Sequence, residues 1–131
     1  MTQPNTESTH LSHYPELEAK QSTWQHQFEK GALQNQTILV TGAGDGIGRA
    51  TAMTYASFGA NVILLGRTRS KLENVFDWIE TNTETSPVIV PCDLENLDSE
   101  TVDNLADSIA ENFGQLDGLV HNASHLGPKV P

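Results

Sequence analysis

The 131-residue sequence contains one cysteine and few basic residues. Because Cys92 is the single cysteine, an internal disulfide bond is excluded. Seven Lys and Arg residues against seventeen Asp and Glu residues give a net charge of −10. This charge repels phosphate backbones over most of a surface, so we do not expect nucleic acid as a partner.

Long apolar runs are also missing. No stretch approaches the roughly 20 apolar residues that span a bilayer, and the first residues lack the basic start and apolar core of a secretory signal. We therefore expect no membrane partner and a location in the cytoplasm.

Residues 1–33 are rich in Gln, Ser, Thr and Glu and show little periodicity. This composition predicts a polar, largely disordered N-terminal extension. Leu17, Trp24 and Phe28 fall at helical spacing, which leaves a short amphipathic helix open as an alternative.

Two histidine pairs have spacings that would suit a metal ion only on a helix. His10 and His13 lie in the polar extension without another ligand nearby, and His121 and His125 follow a predicted strand. We therefore expect no metal site.

From residue 34 onward, short apolar runs alternate with longer amphipathic ones. The short runs predict buried parallel strands and cover residues 38–40, 62–65, 88–90 and 116–120. The amphipathic runs predict a helix over residues 47–58, a second that starts with a capping box at Ser70 and Glu73, and a third that ends at Gly114.

The resulting order, β-α-β-α-β-α-β, predicts an α/β fold with a Rossmann-like, doubly wound parallel sheet. Right-handed crossovers give strand order 3-2-1-4, with a crevice between strands 1 and 4. A complete fold of this kind has two such halves. We therefore expect residues 34–131 to be the N-terminal half of a truncated dinucleotide-binding domain.

A glycine-rich segment, TGAGDGIGRA, follows the first predicted strand at residues 41–50. Glycines let the backbone turn sharply and approach a pyrophosphate, and the free N–H groups of a helix start attract an anion. The spacing G-x-G-x-x-G is not met because Ile47 takes the third position, and Arg49 excludes a nucleoside-triphosphate loop. A glycine-rich turn without a ligand is the alternative.

The pattern Thr41-Gly42-x-x-x-Gly46-x-Gly48 is similar to the cofactor loop of the short-chain dehydrogenase/reductase family. Gly66-Arg67, Asp93-Leu94 and Asn122-Ala123 also lie where that family would have them. The resemblance covers about residues 33–131 and is closest to a bacterial NAD(P)-dependent oxidoreductase subgroup. It implies a cofactor site formed by Thr41, Gly42, Gly44, Asp45, Gly46, Ile47, Gly48, Arg67, Asp93, Leu94, Asn122 and Ala123.

The residues after the second and third strands suggest which cofactor this is. Arg67 stands where an NAD-binding fold commonly has an acidic residue, and its guanidinium suits a 2′-phosphate, so NADP is expected rather than NAD. Asp93 matches the family's aspartate that binds the adenine amino group. The alternatives are that Arg67 is solvated and that Asp93 begins a turn.

The segment after the fourth strand resembles the family's N-N-A-G, with His121 and Ser124 as departures. In the family, the asparagine that corresponds to Asn122 ties the fourth strand to its neighbour. The backbone of the segment lines the cofactor ribose.

The family's catalytic segment, Y-x-x-x-K, is not in the sequence, because Tyr14 is followed by Glu18 and Tyr55 by Gly59. We therefore expect no catalytic residues and no activity from the chain alone. The interpretations are a truncated NADP-dependent reductase, a nucleotide-sensing module, and an interaction subunit. We expect self-association, or association with another chain, through an exposed sheet edge.

Overall fold

A computed structural model describes residues 28–124 of the chain. In chain order the elements are β1 (Thr37–Thr41), α1 (Gly46–Ser57), β2 (Asn61–Gly66), α2 (Arg69–Asn82), β3 (Val88–Pro91), a 3₁₀ turn (Leu94–Asn96), α3 (Ser99–Phe113) and β4 (Gly118–Val120). This alternation of strands and helices confirms the predicted α/β fold.

The four strands form one parallel sheet in the order β3-β2-β1-β4, as predicted. β1 lies inside the sheet, where Leu39 is in register with Ile63 of β2 and Leu119 of β4. Every residue of β1 is buried. Because helices lie on both faces of this sheet, its inner strands are continuously apolar rather than alternating.

At the amino ends of β1 and β4, backbone and side chain together join the two strands. Asp117 Oδ2 accepts a hydrogen bond from the N–H of Thr37 at 2.8 Å, and the N–H of Asp117 donates to the Thr37 carbonyl at 2.8 Å. Gln115 Nε2 donates to the other carboxylate oxygen of Asp117 at 2.8 Å. β4 has three residues, so these side-chain bonds extend its attachment beyond the strand itself.

Helices α1 and α2 pack on the same face of the sheet. The buried residues of α1 are small, Gly48, Ala52 and Ala56, and they recur every four residues. This spacing places them on one side of the helix, so its backbone lies close to the sheet. The buried face of α2 is formed by larger side chains, which are Leu72, Val75 and Ile79.

Helix α3 lies on the opposite face. Its Ile109 is buried against Leu39, Ile63 and Leu65. Other residues of the apolar face that the sequence predicts remain open to solvent, and Val102 is 44% exposed. α3 therefore covers only part of that face within the described residues.

Two helix boundaries differ from the prediction. α1 begins one residue earlier, at Gly46. The predicted capping box at Ser70 is wrong, because the N-cap of α2 is Thr68 and Ser70 lies inside the helix. The backbone of Thr68 is extended (φ −105°, ψ 103°), and its carbonyl accepts the N–H groups of Lys71 and Leu72.

β4 is also shorter than its apolar run suggests. It begins at Gly118 rather than at residue 116, and Leu116 is 40% exposed. The end of α3 agrees with the prediction, because Gly114 has φ 81° and serves as the C-cap. This left-handed conformation favours glycine.

The part of the predicted N-terminal extension that the structure describes lies against α1. The Phe28 and Phe58 rings form an edge-to-face pair, with centroids 6.2 Å apart. The N–H of Leu33 donates to the Phe58 carbonyl at 2.9 Å. Residues 1–27 lie outside the described residues, and with them the candidate helix residues Leu17 and Trp24.

Candidate functional site

The side chain of Thr41 joins the carboxyl ends of β1 and β4. Its Oγ1 donates to the Val120 carbonyl (3.3 Å) and accepts the N–H groups of Asn122 (3.0 Å) and Ala123 (3.1 Å). Thr41 is 4% exposed. This hydroxyl therefore fixes the path of the chain after β4 and brings Asn122 and Ala123 beside the glycine-rich segment.

Replacing Thr41 with valine is expected to lower the free energy of unfolding by about 1–3 kcal/mol. Valine has a methyl group in place of the hydroxyl, so the N–H groups of Asn122 and Ala123 lose their acceptor. Urea denaturation measures the effect. Thr41→Ser keeps the hydroxyl and is the matched control, and equal stabilities of the two variants would contradict the expectation.

The loop turns sharply at Gly42, where φ is +62°. Asn122 Nδ2 donates to the Gly42 carbonyl at 3.3 Å. A Cβ atom on Gly42 would lie 3.0 Å from that nitrogen and 3.1 Å from Ala123 Cα. The segment after β4 therefore packs closely against the loop, and the Asn122 side chain ties the two together.

Gly48 brings the first turn of α1 against the same loop. A Cβ atom there would overlap the Gly42 carbonyl oxygen and lie 2.6 Å from Asn122 Nδ2. Thr41 and Gly48 thus support the loop from inside the protein.

The open side of the loop is formed by Gly46 and Ile47. Gly46 has φ +52°, and a Cβ atom on it would have nothing within 4 Å. Ile47 is 75% exposed. Both residues face a cleft, and the N–H groups of the first turn of α1 lack partners within the helix. The local geometry therefore leaves space for a ligand at a helix N-terminus, where an anion is favoured.

Asp45 is the N-cap of α1 and also part of an ion pair. Its Oδ1 accepts the Gly46 N–H at 2.9 Å, and its Oδ2 lies 3.0 Å from Lys71 Nζ. The hydrogen bond from Lys71, followed by that from the Gly46 N–H, lowers the pKa of Asp45. The carboxylate is therefore charged beside the loop, where it would repel a pyrophosphate, but its charge is partly balanced by Lys71.

The second side of the cleft comes from the end of β2 and the start of α2. A Cβ atom on Gly44 would lie 3.0 Å from Lys71 Cβ and 3.6 Å from Leu72 Cδ2. The first turn of α2 thus packs on the loop. This packing places Arg67, Thr68 and Lys71 along the cleft.

The third side follows β3. The N–H of Cys92 donates to the Gly66 carbonyl at 2.8 Å, which continues the sheet pairing into the site. Asp93 Oδ1 accepts the Glu95 N–H at 3.0 Å, and its Oδ2 accepts Asn96 Nδ2 at 2.7 Å. Asp93 therefore begins a turn, which was one of the two interpretations of its position.

These three sides enclose a cleft of about 810 Å³ at the carboxyl ends of the strands. Thr41 and Gly48 do not line it. Ten of the residues predicted from the sequence do, namely Gly42, Gly44, Asp45, Gly46, Ile47, Arg67, Asp93, Leu94, Asn122 and Ala123.

Sequence reasoning missed Lys71, Thr68 and Cys92 as residues that line the cleft. For Lys71 and Thr68, the predicted topology did contain a signal that they lie at the cleft. In a parallel sheet the first turn of the helix after β2 lies at the same edge as the glycine-rich segment.

Two further expectations concern absences. Among residues 28–124, no helix is long and apolar enough to cross a membrane. The same residues hold no group of three or more His, Cys, Asp or Glu side chains that could bind a metal ion. His10, His13 and His125 lie outside the described residues.

The sequence profile of the short chain dehydrogenases matches residues 36–130, so the chain belongs to this family. The chain is 47% identical over 106 residues to the uncharacterized oxidoreductase YciK of Escherichia coli K12. This alignment covers 81% of the chain and 42% of YciK. The chain thus spans less than half the length of that relative.

Solved structures agree with this assignment. A Shigella flexneri protein assigned to the short chain dehydrogenases, in complex with NADP, is 47% identical with a TM-score of 0.73. The match covers 76% of this chain and 41% of that one. A protein of the same assignment from Escherichia coli CFT073, in complex with NADPH, is 48% identical with a TM-score of 0.73, over 76% of this chain and 42% of that one.

Proposed function

We propose that the chain binds NADP(H) in the cleft at the carboxyl ends of its strands. It would do so as the cofactor-binding part of a short-chain dehydrogenase/reductase. One observation carries the proposal: the glycine-rich segment, Arg67 and Asp93 come from three separate loops and line a single cleft. Ligands of open α/β sheets bind at this position, beside the reversal of strand order. The NADP and NADPH complexes of related proteins support the same cofactor.

Each side of the cleft has a part of the cofactor to bind. The pyrophosphate lies against Gly46 and the N-terminus of α1, where N–H groups and the helix dipole favour an anion. The ribose 2′-phosphate is bound by Arg67, whose planar fork of N–H donors matches phosphate oxygens.

The adenine lies beside Asp93 and Leu94. Glu95 and Asn96 already donate to the Asp93 carboxylate, which fixes its orientation. A carboxylate has about four acceptor positions, so it can accept a further bond from the adenine amino group. The backbone of Asn122 and Ala123 borders the nicotinamide end of the cleft.

For the whole protein we propose hydride transfer between NADP(H) and an alcohol or carbonyl substrate, in the cytoplasm. Residues 34–131 would supply the first half of its dinucleotide-binding domain, and residues 1–33 a polar extension. Because neither Tyr14 nor Tyr55 is followed by a lysine four residues later, the chain by itself would bind the cofactor without turnover.

Calorimetric titration of the purified chain tests this function. We expect tighter binding of NADPH than of NADH, because only NADPH carries the 2′-phosphate for Arg67. We also expect no oxidation of NADPH when aldehydes and ketones are added. Equal affinity for the two cofactors, or no binding of either, would count against the proposal.

A second candidate is a nucleotide-sensing or interaction module. Leu119 is 47% exposed in β4, which lies at the edge of the sheet, and Val102 of α3 is also exposed. An open strand edge can pair with a copy of the chain or with another protein. Oxidation of NADPH by the chain alone would exclude this candidate.

A further inference from the structure

Two neighbouring basic residues of α2 have different surroundings. Arg69 Nη1 pairs with Glu73 at 3.4 Å on the same helix, and Arg69 does not line the cleft. Lys71 lines the cleft, and its Nζ lies 3.0 Å from Asp45 Oδ2 of the glycine-rich segment. The contact between Gly44 and the start of the Lys71 side chain makes this difference, because it sets the first turn of α2 on the loop.

We propose that Lys71 is a second specificity-determining residue for the 2′-phosphate, and that Asp45 holds its ammonium group beside the cleft until the phosphate binds. This inference rests on the proposed function, because it concerns the same site. Arg67 and Lys71 would then bind the phosphate from the same side of the cleft.

Charge and solvent exposure support this exchange of partners. The side chains of Lys71 and Asp45 are 54% and 79% exposed, so packing does not hold the pair in place. Exposed ion pairs of this kind contribute little stability. A phosphate monoester carries nearly two negative charges at neutral pH, whereas a carboxylate carries one. Lys71 therefore has more to gain from the phosphate than from Asp45.

The start of α2 offers further hydrogen-bond donors to a phosphate. Thr68 is the N-cap of α2, but its side chain makes no capping hydrogen bond, and it lines the cleft. The first N–H groups of α2 therefore remain open to another acceptor. A phosphate between Arg67 and Lys71 would lie at this helix start, where negative charge is favoured.

The test compares Lys71→Met with Arg69→Met in the full chain. Each variant removes one positive charge from the first turn of α2, but only one removes it from the cleft. Loss of Lys71 also leaves the Asp45 charge unbalanced near the pyrophosphate, which should weaken both cofactors to the same small extent. We expect Lys71→Met to weaken NADPH binding by about five- to tenfold more than NADH binding, which is the value of a charged hydrogen bond discounted for solvent exposure. Arg69→Met should leave both affinities nearly unchanged.

Asp45→Asn tests the role of the competing carboxylate. Asparagine is an equally good N-cap, so α1 should remain intact. The variant removes a negative charge near the pyrophosphate, which should help both cofactors equally. It also releases Lys71, so the ratio of NADPH to NADH affinity should rise further, and this additional rise should vanish in the Asp45→Asn, Lys71→Met double variant.

The outcomes separate this inference from the proposed function. Suppose that the unaltered chain prefers NADPH and that Lys71→Met has the same affinity as Arg69→Met for each of the two cofactors. Lys71 then only ties α2 to the loop, and the inference is wrong. Equal losses of NADPH and NADH affinity in Lys71→Met would lead to the same conclusion. If the unaltered chain binds neither cofactor, the proposed function and the inference fall together.

Discussion

Replacing Gly48 with alanine is expected to destabilise the folded chain by about 2–3 kcal/mol, as overpacking against a fixed backbone does. At an ordinary helical position the same change stabilises by up to about 1 kcal/mol. The sign is reversed here because the new Cβ atom would overlap the Gly42 carbonyl and crowd Asn122 Nδ2 at 2.6 Å. Neither the turn at Gly42 nor the segment after β4 can move without breaking the contacts that form the cleft.

Thermal and urea denaturation would measure this loss, and NADPH titration would show weaker binding. Gly46→Ala is the matched control, because nothing lies within 4 Å of the added atom. Its cost in stability is limited to the left-handed backbone, about 1–2 kcal/mol, but its methyl group would point into the proposed pyrophosphate space. A Gly48→Ala variant as stable as the unaltered chain would show that the loop can adjust.

Replacing Arg67 with aspartate is expected to reverse the cofactor preference. NADPH loses a charge-assisted bond of roughly 1.5–3 kcal/mol, which is about tenfold or more in affinity, and gains a repulsive carboxylate. NADH gains an acceptor for its ribose hydroxyls. The ratio of the two dissociation constants, measured by titration, should therefore change more than either constant alone.

Arg67→Met is the control for this reversal. It removes the attraction to the phosphate without adding an acceptor, so NADPH binding should weaken while NADH binding stays nearly constant. If the affinity ratio were the same in the unaltered chain and in Arg67→Asp, the guanidinium would be a solvated group with no role in specificity.

The order of the strands could be predicted from the sequence because it depends only on which segments are strands and on the handedness of the crossovers between them. Continuous apolar runs indicated strands buried on both faces, and the handedness of crossovers left one layout, which the sheet confirms. The start of α2 was predicted wrongly, since Thr68 and Ser70 are both residues that cap helices. The choice between them depends on where the chain leaves β2, which a local pattern does not contain.

The candidate site was predictable where it depends on residues that directly follow a strand. Gly42, Arg67 and Asp93 are of this kind, and the structure brings them to one cleft. Lys71 does not directly follow a strand, so only the position of the first turn of α2 at the same sheet edge pointed to it. Its contact with Gly44 joins residues far apart in sequence, which a local pattern does not contain. The hydrogen bonds that Thr41 Oγ1 accepts from Asn122 and Ala123 depend likewise on strand pairing.

The attachment of β4 at Asp117 has a consequence for the order of folding. β1 pairs with β2 over a separation of about 24 residues, read from the register of Ile38 and Val62, whereas Thr37 and Asp117 are 80 residues apart. Closing the longer loop costs about 1 kcal/mol more in chain entropy, and contacts distant in sequence form slowly. We therefore expect β1, β2 and their helices to assemble first and β4 to join late. The cleft, which needs Asn122 and Ala123 on Thr41, would then be completed in the last step of folding.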